Sequence, residues 1–473
     1  MPTPSAASRE QPRMTVTPLP VARLRLGAGA LAGAAVIGVT SVNAPLLLIA
    51  GVLGIGFIAV TLRNLAAGLT AFTVLIFLAE IPTISSFGLT FTKLAGGVLA
   101  VAWVITATRR DPNMPMLTRR HPVIAYLALA LLCWTFGSIL WASDPGTAGA
   151  TAFRFSQGVL LLFIIFSALR ERRHLVWIMY AFVAGAVLSA MVGLAGGTGN
   201  DVSNTGRLGG GIGDPNDLAA LLIPALAFAL FMAVTRKRMT ARWLLLAAAF
   251  VCALALFRTE SRGGIVGLGV MLAASLALAG PVRSRAVALA FSITGVALVY
   301  FTLLAPASAL GRLTSFTAGG GSGRTDIWAV ALEITGNHPI AGVGAGNFQV
   351  VEPGYAFANL NLPRADLIVN TPEVVHNMYL HVLVELGVIG CVLFVLLIAS
   401  VLGIAVRVVR AFEASGDLEM EILTRGLVIG TIGMLAAFFF LSAQYDKQLP
   451  LLLGVLASLS TLVGSGRRWT ALD

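Results

Sequence analysis

The sequence predicts an all-α polytopic membrane protein. Hydrophobic residues make up 57% of the 473 positions and charged residues only 11%, and the mean hydropathy is +0.89. A soluble chain of this length could not bury so much apolar surface. The sequence lacks the alternating pattern of membrane β-strands, and helices satisfy their own backbone groups in lipid. We therefore expect a bundle of membrane-spanning helices.

Apolar runs of about 15–30 residues alternate with polar breaks along the chain, which predicts about 12–14 transmembrane helices. The longest polar break is an external loop of about 70 residues that includes an amphipathic helix. The predicted segments are a disordered cytoplasmic tail (1–25), a transmembrane bundle (26–305), the external loop (306–375), C-terminal transmembrane helices (376–464) and a cytoplasmic tail (465–473).

The formal charge of +11 predicts topology rather than nucleic-acid binding. With the N-terminus inside, 23 of the 32 Lys and Arg residues fall in cytoplasmic segments, as the positive-inside rule requires. Both termini are therefore predicted to be cytoplasmic. External basic residues run against this rule, and each becomes a candidate functional residue. They are Lys93, Arg154, Arg207, Arg258, Arg262, Arg312, Arg324, Arg364 and Lys447.

The first polar external segment is "NTGRLGGGIGDPNDLAALL" (204–222). Arg207 precedes a glycine-rich turn, which allows the backbone to approach an anionic ligand closely. Asp214 and Asn216 stand where the next helix begins, where such side chains cap free backbone N–H groups. A flexible loop followed by a helix cap is the alternative interpretation of this segment.

The second external segment is the short connection "FRTESRGGIVGLG" (257–269). Arg262 stands at a Gly-rich helix start, a geometry suited to phosphate. Arg258 is equally well explained by snorkelling to the membrane surface, with Glu260 as its ion partner. The Gly263/Gly267 spacing predicts close helix packing.

The long external loop contains "SGRTDIWAVALEITGNHPIAGVGAGNF" (322–348), which places Arg324 on the same side. A helix is predicted from about 325 to 335. The residues expected to lie on the membrane surface are Trp328, Val330, Ala331 and Ile334. The run from Gly342 to Gly346 has the glycine spacing of a nucleotide motif, but no βαβ unit surrounds it. His338 is predicted to be a helix C-terminal cap.

The loop ends at "EVVHNMYLHVLVELGVIG" (373–390), where a membrane helix begins. A helix from 376 to 406 would be about 46 Å long, which exceeds the roughly 30 Å hydrocarbon core. Its first turns can therefore stand among the headgroups, where His376 can reach a substrate. Asn377, His381 and Glu385 share one helix face, and His376 shares the neighbouring face with Tyr379.

Several arginines and one histidine beside lipid predict an anionic, lipid-linked substrate. Arginine binds phosphate bidentately, and a polyprenyl-diphosphate glycan donor fits that chemistry. His376 is the candidate general base for an acceptor hydroxyl. No cofactor and no metal are expected. The pairs Asp214/Asp217 and Asp366/Glu373 leave Mg²⁺ or Ca²⁺ as a minor alternative.

Four stretches, "RLGGGIGDPNDLA", "TESRGGIVG", "GRTDIWAVAL…HPIAGVGAGNF" and "VHNMYLHVLVELGVIG", occur in this order. Together they resemble the O-antigen ligase/polymerase superfamily over residues of about 150–465. The resemblance implies a GT-C-like fold, usually with about 12 spans, and glycan transfer from undecaprenyl diphosphate outside the inner membrane. The acceptor is then a lipid core, a growing glycan or a protein.

The resemblance also assigns residues. It makes His376 the catalytic residue and Arg207, Arg262 and Arg324 the diphosphate contacts. The positions of Asn377, Tyr379, His381, Asp214 and Asn216 in the external segments predict that they are supporting residues. A lipid-linked oligosaccharide flippase or another transporter is the alternative function. A transporter would place polar residues near the bilayer midplane, whereas the ionisable residues here concentrate at the outer mouth.

Overall fold

The computed structural model describes residues 45–78, 91–108, 114–196, 207–304, 324–358 and 370–463. It divides into two compact units, residues 1–59 and 60–473. The described part of the first unit, residues 45–59, is helical. All of the other features below belong to the second unit.

The described residues form α-helices without strands. The helices are α1 (Pro45–Arg63), α2 (Leu65–Ile76), α3 (Phe91–Thr108), α4 (Leu117–Arg120), α5 (Pro122–Gly137), α6 (Pro145–Ala168), α7 (Arg172–Leu194), α8 (Pro215–Thr235), α9 (Met239–Arg258), α10 (Arg262–Leu278), α11 (Arg283–Val299), α12 (Arg324–Asn337), α13 (Phe348–Ala358), α14 (Met378–Ser415), α15 (Leu418–Ala437) and α16 (Gln448–Ser458).

Eight of the described helices are long and apolar enough to cross a membrane. Four shorter apolar helices lie among the described residues as well, which brings the total to twelve. The predicted class, an all-α polytopic membrane protein, is confirmed. The number of helices that cross the bilayer stays a prediction.

Helix α8 is the most deeply buried of the long apolar helices, and it packs against α7, α9, α10 and α15. Glycines let these helices approach each other. A Cβ on Gly267 of α10 would lie 2.7 Å from the carbonyl oxygen of Gly433, and one on Gly430 would lie 2.9 Å from Cα of Pro224. This is the close packing that small residues permit between membrane helices.

The two ends of the bundle differ in the residues they bring together. Arg236 pairs with Glu419 at 2.6 Å, and Arg425 donates to the carbonyl of Leu278 at the end of α10. Arg236, Glu419 and Arg425 belong to segments predicted to be cytoplasmic, and Leu278 lies just before another such segment. Arg262, predicted to be external, begins α10 and so lies at its opposite end. Arg262 therefore lies at the end of α10 opposite to the one that Arg425 contacts, as their predicted sides of the membrane require.

Helix α14 is broken at Gly387, which has φ 65° and ψ −171°, so the predicted continuous helix from 376 to 406 is wrong. The break leaves backbone groups without helical partners, and other segments supply them. The carbonyl of Leu386 accepts the indole N–H of Trp134 at 2.8 Å. The N–H of Val388 donates to the carbonyl of Pro339 at 2.9 Å.

The glycine-rich turn after α12 also bonds to this break. The N–H groups of Val343 and Gly344 donate to the carbonyls of Val384 and Glu385 at 3.0 and 2.8 Å. Gly342 has φ 69°, and a Cβ there would lie 2.4 Å from the carbonyl of Glu385. The glycines are needed because two backbones meet without room for side chains.

We expect Gly387→Ala to destabilise the protein by about 2 kcal/mol or more, because a positive φ strains alanine and its Cβ would lie 2.1 Å from the carbonyl oxygen of Ile340. The apparent melting temperature in detergent measures the effect. Gly403→Ala is the matched control, since Gly403 lies in the same helix with nothing within 4 Å of its added Cβ. Equal melting temperatures for the two variants would contradict the prediction.

Helix α12 covers its predicted range, but its apolar side does not lie on a membrane surface. The residues predicted to do so were Trp328, Val330, Ala331 and Ile334. Val330, Ala331 and Ile334 are fully buried and cluster with Phe348 and Val384. That placement is therefore wrong, because α13 and α14 provide the apolar partner that the sequence left unassigned. The half-buried Trp328 packs against the same cluster.

Candidate functional site

Four helices begin near one another at the end of the bundle that carries Arg262. Asp214 caps α8, Ser261 caps α10 and Asn377 caps α14, each by accepting backbone N–H groups of the first turn. The fourth helix, α12, begins at Arg324. Helix starts carry partial positive charge, so this end of the bundle favours an anion.

Arg207 is fixed beside the start of α8. Its Nε donates to the carbonyl of Thr259 at 2.8 Å, and its Nη2 donates to Oδ1 of Asn216 at the same distance. The N–H of Leu208 donates to the carbonyl of Arg258 at 3.2 Å. Arg207 is therefore held in place by two elements, the end of α9 and the start of α8.

The three predicted arginines lie close enough to act on one another. Burial lowers the pKa of the Arg324 guanidinium, and the positive charges of Arg207 and Arg262 lower it further. The carboxylates of Asp214 and Glu373 act in the opposite direction. Within the described part of the chain, Arg324 has no hydrogen-bond partner. A partly buried group of cations is stabilised by an anionic ligand.

His376 stands beside this arginine cluster and is paired with Glu373. The distance from His376 Nε2 to Glu373 Oε2 is 3.0 Å, and 28% of the His376 side chain is exposed. This hydrogen bond holds the pKa of Glu373 below its usual range, and Arg324 acts in the same direction, although burial opposes both. The carboxylate accepts from Nε2–H, which leaves the lone pair on Nδ1 available to take a proton.

Arginines from three separate segments thus meet a histidine–carboxylate pair at one end of a membrane helix bundle. The family model for O-antigen ligase matches residues 247–395. For residues 247–395, this match supports the O-antigen ligase/polymerase superfamily. The matched region contains Arg262, Arg324 and His376, whereas Arg207 precedes it. No curated protein matches the chain.

Beneath the site, a series of hydrogen bonds supports His376. The backbone N–H of His376 donates to Oγ of Ser442 at 2.9 Å, and Oγ is 2.9 Å from Nδ1 of His381. Nε2 of His381 is 3.0 Å from Oε1 of Glu385, and Tyr445 donates to Oε2 of Glu385 at 2.7 Å. A carboxylate can only accept, so Nε2–H of His381 donates to Glu385. Nδ1 of His381 then carries the lone pair and accepts the hydrogen bond from the Ser442 hydroxyl.

The hydrogen bond to Ser442 helps to hold His376 in an unusual backbone conformation. His376 has φ 53°, a left-handed conformation that is uncommon outside glycine. Its N–H is bonded to Ser442, and Asn377 begins α14 immediately afterwards. His376 therefore lies outside the helix, not within its first turn as predicted, and points toward Glu373 and the arginines.

The remaining predicted supporting residues have different surroundings. His381 belongs to the series of hydrogen bonds beneath the site, and Asn216 orients Arg207. The Tyr379 hydroxyl donates to the carbonyl of Leu435 at 3.0 Å, so this side chain packs against α15.

The carboxylate pairs that had left Mg²⁺ or Ca²⁺ open are used in other ways. Asp214 is a helix cap and Glu373 bonds to His376. Asp366 lies outside the described residues.

Sequence reasoning missed Glu352 on α13, which is fully buried below Glu373. Its Oε2 accepts the N–H of Glu373 at 3.0 Å, and its Oε1 has no partner among the described atoms. Burial, together with the nearby charge of Glu373, raises the pKa of Glu352 to about 8. A neutral carboxyl therefore anchors the segment that carries the histidine–carboxylate pair. Nothing in the local sequence marks this glutamate, because its partner is far along the chain.

We expect Glu352 to make the protein less stable as pH rises from about 4.5, the ordinary pKa of a glutamate, to about 8. A carboxyl whose folded pKa is raised above its unfolded value contributes stability below that unfolded value, and the contribution is lost as pH passes the folded pKa. Glu352→Gln imitates the protonated form and removes this dependence. Its apparent melting temperature should match the wild type near pH 4, exceed it increasingly as pH rises to about 8, and stay at least roughly 2–4 °C above it at pH 9. A constant difference across this range would contradict the assignment.

Proposed function

We propose that this protein transfers a glycan from undecaprenyl diphosphate to an acceptor hydroxyl at the extracytoplasmic face of the inner membrane. The observation that carries the proposal is the meeting of Arg207, Arg262 and Arg324 with the His376–Glu373 pair. The match of residues 247–395 to the O-antigen ligase family supports a reaction of the ligase or polymerase type.

In the proposed reaction the arginines bind the diphosphate of the donor. Guanidinium groups pair with phosphate oxygens in two parallel hydrogen bonds and keep their charge next to lipid. The nearby starts of α8, α10 and α12 add partial positive charge. As the bond between the sugar and the diphosphate breaks, its electron pair moves to the diphosphate, and the arginines stabilise the growing charge.

His376 acts as the general base in this reaction. Nδ1 takes the proton of the acceptor hydroxyl while the acceptor oxygen attacks the anomeric carbon. Glu373 holds the imidazole with Nε2–H directed to its carboxylate and stabilises the imidazolium that forms. The base and the leaving-group contacts come from different segments, so the two can act on opposite faces of the anomeric carbon.

The proposal includes the arrangement in the membrane. Both termini are cytoplasmic, the segment 306–375 is extracytoplasmic, and the fold is GT-C-like. The bias of 23 out of 32 basic residues toward predicted inner segments supports this orientation. No metal or other cofactor takes part.

The test is a transfer reaction with purified protein in proteoliposomes. Labelled undecaprenyl-diphosphate glycan is mixed with a lipid-core, oligosaccharide or peptide acceptor, and the product and the released undecaprenyl diphosphate are measured together. We expect stoichiometric transfer that a chelator does not reduce. Product length separates a polymerase from a ligase.

Two outcomes would overturn the proposal. One is movement of the labelled donor across the bilayer without transfer to any acceptor, which is what a flippase would give. The other is loss of transfer with a chelator, which would contradict the metal-free reaction.

A further inference from the structure

A cavity with a volume of about 620 Å³ lies near the arginine cluster. It is bounded by α6, by the starts of α3 and α8, and by the turn between α15 and α16. The arginine cluster and His376 do not line it. Small-ligand pockets measure about 300–1,000 Å³, so it has room for a short oligosaccharide.

The walls of this cavity combine aromatic rings with charges of both signs. Phe153 and Tyr445 line it together with Gln157 and with Asp446, which pairs with Arg154 at 2.9 Å. Sugar hydroxyls both donate and accept hydrogen bonds, and the C–H face of a sugar ring packs on aromatic side chains. Mixed charges therefore suit a sugar, because each sign makes a charge-assisted hydrogen bond to a hydroxyl.

Acidic and basic side chains both line this cavity. Asp217 and Asp446 both line the cavity, and they lie close enough for their charges to interact. Lys93, Arg154 and Lys447 line the cavity as well, so a sugar hydroxyl there finds both hydrogen-bond acceptors and donors. This mixture of donors and acceptors beside aromatic rings suits a hydroxyl-rich ligand.

Two segments contribute to both sites. At the start of α8, Asn216 bonds to Arg207 and the next residue, Asp217, lines the cavity. In the turn after α15, Ser442 bonds to His376 and Tyr445 lines the cavity. A ligand in the cavity therefore lies beside the diphosphate site, as the sugar part of a substrate should.

We propose that this cavity binds the sugar chain of one of the two substrates, the donor glycan or a glycan acceptor. The proposal rests on the proposed function, since it assigns the glycan part of that reaction. A sugar bound here would hold the reacting end of its chain near His376 and the arginines, while the diphosphate stays at Arg324.

The test uses Gln157→Ala and Arg154→Gln in the full-length protein. Both side chains are exposed, so their loss should spare folding. In proteoliposomes, KM is measured separately for the lipid-linked glycan and for the acceptor. We expect about a 10-fold rise in one KM with little change in kcat, since one lost charge-assisted hydrogen bond is of that order. A rise for the lipid-linked glycan identifies the donor chain, and a rise for the acceptor identifies the acceptor chain.

Equilibrium binding separates failure of this inference from failure of the proposed function. The probes are undecaprenyl diphosphate without sugar and the oligosaccharide released from the lipid-linked glycan by mild acid. The cavity variants should weaken oligosaccharide binding about 10-fold and leave undecaprenyl diphosphate binding unchanged, whether or not transfer is observed. Unchanged oligosaccharide binding together with two unchanged KM values would overturn the inference.

Discussion

His376→Asn is expected to reduce glycan transfer by about 10²–10⁴-fold, the usual contribution of a general base. Asparagine tolerates the left-handed backbone that His376 adopts, so the substitution removes the imidazole while preserving the local fold. The decrease should appear in kcat, because the diphosphate contacts come from the arginines. Initial rates in proteoliposomes, at saturating donor and acceptor, measure the effect.

A second variant separates chemistry from structure. His376→Gly also fits a positive φ, and added imidazole should restore part of the activity if the ring acts as the base. His338→Asn is the matched control, since His338 is exposed and contacts Tyr355 rather than Glu373. Wild-type transfer by His376→Asn would reject the proposed base.

The sequence was sufficient for the helical membrane class and for the helix starts. Long apolar runs leave a chain no other way to satisfy its backbone in lipid. Asp214 caps α8 as predicted, because capping follows local rules that do not depend on distant residues, whereas Asn216, also predicted to cap, instead accepts from Arg207. The i, i+4 spacing of His381 and Glu385 predicted a shared face, and the two side chains do bond.

The features that the sequence did not reveal depend on contacts between distant segments. The break at Gly387 requires Pro339 and Trp134 to satisfy its backbone groups. Glu352 and Ser442 matter only because the fold places them against Glu373 and His376. A single helix from 376 to 406 was a reasonable expectation because its composition is apolar throughout, and only the docked glycine-rich turn makes the break stable.

Arg324→Ala is expected to lower transfer by about 10²–10³-fold, the usual effect of losing one donor that stabilises a developing negative charge. Among the three arginines, Arg207 is held by Thr259 and Asn216, whereas Arg324 has no hydrogen-bond partner in the described part of the chain. Arg324 is therefore the arginine whose hydrogen bonds are left for the ligand. Arg324→Lys should recover little activity, because an ammonium group cannot form the two parallel bonds to a phosphate.

The loss should affect binding as well as rate. Undecaprenyl diphosphate without sugar should bind Arg324→Ala at least about 10-fold more weakly, because a charge-assisted hydrogen bond is worth that much. Arg410→Ala is the matched control, since it removes an exposed arginine near the opposite end of α14.

The substitution Arg324→Ala also removes the repulsion between Arg324 and its neighbours Arg207 and Arg262. Its melting temperature should therefore be unchanged or higher. If Arg324→Ala folds normally and still binds undecaprenyl diphosphate like the wild type, Arg324 is not part of the diphosphate site, because its guanidinium then contributes nothing to binding.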